Sequence, residues 1–201
     1  MSRRTIILII ILIGITAILL AIALTPKQAP VPVKQRPTPS ISYAQTTLRI
    51  SNNPALVNST SSAVPLYSAD VTIITGDNKV NAVQLELAFD VARLYNVDIK
   101  PGSLFQNSVE LLKKVDNQKG TISYALAGGL GQKGVTGGGT VAVITFQEKG
   151  KAGEIASINF LPKTLVTAQG TDKSVLKTAV GATFPIQESP SRLNTGTPSA
   201  Q

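Results

Sequence analysis

The chain contains no histidine and no cysteine. That excludes imidazole bases, thiolate nucleophiles, disulfides and Cys/His zinc sites. Any chemistry falls to carboxylates: Asp70, Asp77, Glu86, Asp90, Asp98, Glu110, Asp116, Glu148, Glu154 and Asp172. Glycoside hydrolysis would need two of them facing across a sugar cleft. Asp70 and Glu86 could stand on the outer faces of adjacent strands, but no tryptophan or other converging polar group accompanies them. The chain therefore reads as non-catalytic. Asp77-Asn78 and Asp116-Asn117 could lend oxygens to calcium, yet neither has the Asp-x-Asp-x-Asp spacing of a dedicated loop. They read as turn residues, and no cofactor or metal is expected. Asp90 ends an apolar alternation and is expected to cap the following turn through nearby backbone N–H groups. Asn58-Ser59-Thr60 matches a glycosylation acceptor.

A glycine-rich interval, residues 128–139, has seven glycines in twelve residues. A phosphate-cradling loop would lead into a helix. Here Thr140-Val-Ala-Val-Ile-Thr-Phe146 follows, with strand character, so a flexible connection between two strands is expected, placed where it could help shape a binding surface.

The elements that must position these residues are strands. The clearest is Val80–Phe89, where Val83, Leu85, Leu87 and Phe89 alternate with Gln84, Glu86 and Ala88. Further strands are expected at Thr46–Ser51, Leu66–Thr75, Arg93–Ile99, Val109–Val115, Thr121–Leu126, Thr140–Gln147, Glu154–Phe160 and Ala179–Pro185. Residues 108–114 carry some helical flavour as well. Asn117-Gln118-Lys119-Gly120 and the run 148–153 supply turn chemistry. About nine short strands at near-regular spacing predict an all-β fold, an antiparallel, jelly-roll-like β-sandwich over residues 46–186.

The ends differ in composition. Residues 1–24 place Arg3 and Arg4 before an uncharged run from Thr5 to Leu24, about the 20 residues that cross a bilayer as a helix. This segment is expected to anchor the chain in the cell membrane with the domain outside, or to be removed after Ala23 of Ala21-Ile22-Ala23, leaving a secreted protein. Residues 25–45 include Pro26, Pro30, Pro32, Pro37 and Pro39 and read as an extended spacer. Residues 187–201, rich in Ser, Thr and Pro, read as a disordered tail. The net charge of +8 is concentrated at the ends. With basic residues interspersed in the domain and few aromatics, nucleic acid is not an expected partner.

Several ordered pieces resemble the cohesin family. They are Tyr67–Thr75 and Val80–Asp90, then Leu94-Tyr-Asn-Val97 and Pro101-Gly-Ser-Leu-Phe105, then Gly120–Ala125, Gly139–Phe146 and Ile155–Phe160. The resemblance implies a β-sandwich that docks a dockerin-like protein module in surface polysaccharide binding or degradation. It places the contact surface on the outward face of the Val80–Phe89 strand, at Ala82, Gln84, Glu86 and Ala88, with Tyr124 either nearby or in the inward row Ile122-Tyr124-Leu126. Two features depart from the family. Val91 stands where a proline commonly follows the strand-ending Asp. Ala82 and Gln84 occupy positions where an Asn and an Asp typically bond the dockerin helix, and alanine has no side-chain donor or acceptor. Because the fold is similar to some carbohydrate-binding modules, direct binding of a cell-surface polysaccharide is a competing expectation, and a structural cell-envelope role is a third.

Overall fold

The computed structural model describes Arg3, residues 14–16, residues 44–57 and residues 64–187. The expected anchor, spacer and tail therefore fall almost wholly outside the described residues, as does Asn58-Ser59-Thr60. Arg3 and residues 14–16 are helical. No helix among the described residues is long and apolar enough to cross a membrane.

Among the described residues twelve strands form two sheets: β1 (Thr46–Ile50), β2 (Ala55–Val57), β3 (Leu66–Ile74), β4 (Val80–Phe89), β5 (Leu94–Pro101), β6 (Val109–Asp116), β7 (Thr121–Ala127), β8 (Gly138–Glu148), β9 (Ile155–Phe160), β10 (Leu165–Ala168), β11 (Leu176–Val180) and β12 (Ala182–Pro185). One sheet runs β11-β1-β3-β8-β5, with β2 beside β3. The other runs β12-β9-β4-β7-β6, with β10 beside β4. Alternating residues of both sheets enter one core. Tyr67, Ala69, Val71 and Ile73 of β3 and Ala142, Ile144 and Phe146 of β8 oppose Val83, Leu85, Leu87 and Phe89 of β4 and Ile122, Tyr124 and Leu126 of β7. Phe146 stacks on Tyr67 within its sheet and on Phe184 of β12, with ring centroids 6.3 and 5.3 Å apart.

The β-sandwich is as expected, with more strands than the alternation reveals and one parallel pair, β1 with β11. Residues 108–116 carry strand β6 and no helix. A bulge between Glu110 and Leu112 interrupts its pairing with β7, which spoils the period-2 pattern and gives the segment its helical flavour.

The expected single strand Ala179–Pro185 is two. β11 closes the first sheet and β12 the second, with Gly181 at the crossing. A Cβ there would lie 2.5 Å from Asn159 Oδ1 and 2.7 Å from the Ile158 carbonyl oxygen, so the chain passes between sheets only because the side chain is missing. The open edge between β5 and β6 is fastened separately. A bulge leaves Val97 unpaired with β8, and Asn96 takes a left-handed φ of 48°. The Asn117 carboxamide then accepts from Val97 N at 2.9 Å and donates to Val97 O at 3.2 Å. Lys113 and Asp98 pair across the same edge at 2.8 Å. Asn117 thus serves as an inter-sheet clasp, and Asn78, whose amide donates to the Thr46 hydroxyl at 3.2 Å, is likewise engaged with the protein.

Gly181→Ala should lower stability by about 1–3 kcal/mol through overpacking against backbone. The check is the urea midpoint: a clear fall with an unchanged denaturant slope is expected, and an unmoved midpoint would show that the crossing has room for a methyl group.

Candidate functional site

β4 lies at the centre of its sheet and sets the geometry of the outer face. β7 pairs along one edge from Ala82 to Ala88. The other edge is shared: β10 pairs with residues 80–84 and β9 with residues 87–89. Between those two pairings, the Thr164 hydroxyl accepts from Glu86 N at 3.1 Å and donates to Glu86 O at 3.0 Å, and Leu161 N donates to the same carbonyl at 2.7 Å. The middle of β4 is therefore held on both edges, which fixes where its outward side chains stand.

Cross-strand register places those side chains in rows. One row is Val109, Ala127, Ala82 and Thr167; the next is Leu112, Ala125, Gln84 and Leu165; the third is Lys114, Ser123 and Glu86. Glu86 is the polar centre. Its Oε2 accepts from Ser123 Oγ at 2.6 Å and its Oε1 accepts from Gln84 Nε2 at 3.0 Å. Around this short network the rows carry mostly small and aliphatic side chains, with Lys114 and Thr167 at their margins and Val109 and Leu112 of β6 43% and 44% exposed. Such a surface offers a flat apolar area, one carboxylate acceptor and the remaining donor capacity of Gln84. It has no proton donor and acceptor arranged around a reacting atom.

Of the sequence-derived site residues, Ala82, Gln84 and Glu86 stand together on this face. Tyr124 does not. It is fully buried in the inward row between Ile122 and Leu126, and its hydroxyl has no hydrogen-bond partner among the described residues. Burial, and then the neighbouring Glu110 carboxylate, raise its pKa well above the ordinary phenol value. The suggested pairing of Asp70 with Glu86 also fails, because β3 and β4 belong to different sheets and their outward residues face opposite sides. Asp90 caps as expected: its Oδ1 accepts from Ala92 N at 2.8 Å. Asp116 does the same for Gln118 N and Lys119 N, and chiefly the Lys119 bond lowers its pKa. The sequence did not single out Ser123, Leu112, Leu165 or Thr164. Parity marks Ser123 as the neighbour of inward residues, but its partnership with Glu86 depends on register between strands.

The glycine-rich connection joins β7 of one sheet to β8 of the other and is tied to the β3–β4 end. Val135 and Val80 exchange backbone bonds of 2.7 and 2.9 Å, and Gly137 N donates to Thr75 Oγ1 at 2.8 Å. The expected freedom of this loop gives way to these bonds over residues 135–137.

One carboxylate away from the face is electrostatically unusual. Glu148 Oε2 accepts from Gln187 N at 2.7 Å, while Oε1 is buried without a partner among the described residues. Burial raises its pKa, opposed by the Gln187 bond, and its charge adds to the burial that raises Tyr67.

The chain matches the family model described as Cohesin domain over residues 68–184. No curated protein matches it. Among solved structures, it is similar to the third cohesin of ScaC from Acetivibrio cellulolyticus, solved in complex with the ScaB dockerin. That match has 18% identity and a TM-score of 0.57, covering 71% of this chain and 99% of that one. The OlpA cohesin of Clostridium thermocellum, in complex with Doc918, gives 16% identity and a TM-score of 0.54 over 70% and 98% of the two chains. A type II cohesin from the cellulosome of A. cellulolyticus gives 19% and 0.52 over 69% and 94%. At these identities the likeness is one of fold.

The raised pKa means that the folded chain binds the Glu148 proton more tightly than the unfolded chain does. Stability from this group is full below its ordinary value of 4.5 and is lost as pH rises through the raised one. Glu148→Gln keeps an acceptor for Gln187 N–H and removes the charge. Urea midpoints at about pH 4 and about pH 7 should show a smaller decline with pH in the variant than in the natural chain; equal declines would count against the assignment.

Proposed function

The chain belongs to the cohesin domain family, and from that premise we propose that it docks a dockerin-type protein module on the outer face of β4, β6, β7 and β10. The module is non-catalytic, as family membership implies. It acts outside the cell in surface polysaccharide binding or degradation, held to the membrane by residues 1–24 and displayed on the proline-rich spacer, or secreted if cleaved after Ala23. The observation that carries the docking reading is the Leu112–Ala125–Gln84–Leu165 row, lying beside a Glu86 carboxylate held by Ser123 and Gln84 on a sheet face that none of the described strands covers.

The face suits an amphipathic helix better than a sugar. It offers side chains for apolar contact, while none of the aromatic residues described on β4 or β7 faces outward: Phe89 and Tyr124 are both buried. Sugar platforms generally use exposed rings, so protein docking is favoured. Ala82 and Gln84 replace the Asn and Asp typical of the family. Recognition here therefore leans on apolar contact and on Glu86, with a partner that presents a donor to that carboxylate.

The test uses the full chain, purified in mild detergent, and calorimetric titration with dockerin modules. The panel comprises the ScaB dockerin and Doc918, together with dockerin segments encoded in the genome that encodes this chain. At least one should bind, and Leu112→Asp should weaken it by about 2 kcal/mol or more, roughly thirtyfold, if Leu112 is a central contact. Binding unchanged by both Leu112→Asp and Glu86→Ala would move the interface elsewhere.

A further inference from the structure

Leu130 has no place in the core and is the most exposed large hydrophobic residue described, with a relative exposure of 104%. Its position is nonetheless defined. Gln132 N donates to Gly129 O at 3.0 Å, and Gln132 Oε1 accepts from Gly129 N at 3.1 Å, so residues 129–132 close a turn bonded by both backbone and side chain. Gly131 takes the third position with φ +78°, the left-handed geometry a side chain would strain. The turn is seated against its neighbours on both sides. Gly128 N donates to Asn81 O at 3.0 Å, and a Cβ on Gly129 would lie 2.7 Å from Asn107 O.

Those contacts place the turn at one end of the candidate face. Asn81 immediately precedes Ala82, Asn107 lies two residues before Val109, and Gly128 follows Ala127; Ala82, Ala127 and Val109 form the terminal row. From there exposed apolar side chains continue along β6, with Val109, Leu111 and Leu112 all more than two-fifths exposed. Leu130 thus stands exposed at the end of the strands that form the face, on a turn held by its own hydrogen bonds. A contact made by such a preordered residue loses little conformational entropy on association.

We infer that Leu130 is an anchor and specificity determinant of the docked module, entering an apolar recess on the dockerin beyond the area that covers the β4 row. The inference rests on the docking reading above. A protein partner is favoured over a lipid surface because the single leucine is surrounded by Gln132, Lys133 and glycines, with Glu110, Lys113 and Lys114 along the adjoining strand. These place charges of both signs beside the exposed leucines, where an anionic membrane surface would favour basic residues alone.

The experiment is calorimetric titration of the full chain, its Leu130→Ala and Leu130→Met variants, with the dockerins of the panel described above, alongside thermal melts. Leu130→Ala should weaken the binding dockerin tenfold or more at an unchanged melting midpoint, and Leu130→Met should retain most of the affinity. Binding of Leu130→Ala within twofold of the natural chain would overturn the anchor and leave the docking face standing. Failure of the unsubstituted chain to bind any dockerin would overturn both. Equal loss of binding and of melting midpoint in the two variants would assign Leu130 to folding and overturn the inference. So would dockerin-free self-association in sedimentation velocity that Leu130→Ala abolishes, since that would assign the leucine to a second copy.

Discussion

The structure depends on the burial of one face of β4. Val83, Leu85, Leu87 and Phe89 are all buried against the opposing sheet, and β4 carries pairing strands on both edges. Full burial of side chains of this size contributes roughly 1.5–3 kcal/mol each, the largest favourable term available to a domain that has no cysteine to form disulfides. Because side chains alternate strictly along a strand, fixing those four inward also fixes Ala82, Gln84, Glu86 and Ala88 outward. Core and candidate site are two faces of one register. A one-residue slip would expose the core and bury Glu86 together.

The remaining features protect that arrangement at places where sheet pairing alone falls short. The chain crosses between sheets at Gly181, where backbone approach leaves no space for a side chain. The bulge in β5 frees the Val97 backbone groups, and the Asn117 amide takes up both. Thr164 fills the interval between β10 and β9 on the edge of β4. Glu148 is the exception: its half-satisfied carboxylate at the end of the core works against folding at neutral pH.

Strands with one buried face were legible in the sequence, and the outward position of Gln84 and Glu86 followed from parity alone. What parity does not encode is which sheet a strand joins. Asp70 and Glu86 therefore looked like possible neighbours, although β3 and β4 face each other across the core. The alternation of Ala179–Pro185 ran through Gly181 without announcing the crossing, and the four residues of β10 were too short to stand out. On the edge, β6 lost its period to a bulge, which hid Leu112 as a surface residue. Ser123 and Thr164 reach Glu86 across register and sequence distances of 37 and 78 residues, which only the fold reveals. Tyr124 illustrates the reverse: its inward parity was readable, and it stays in the core.

The central claim is that a dockerin module covers the β4 face. The most direct measurement is methyl and side-chain amide NMR of the isotopically labelled chain titrated with a dockerin that binds it. The account predicts that the shifts concentrate at the methyls of Val109, Leu112, Ala125 and Leu165 and the side-chain amide of Gln84, while Thr47, Thr72 and Thr145 of the opposite sheet stay in place. Shifts confined to that opposite sheet, with the Gln84 amide unmoved, would contradict it.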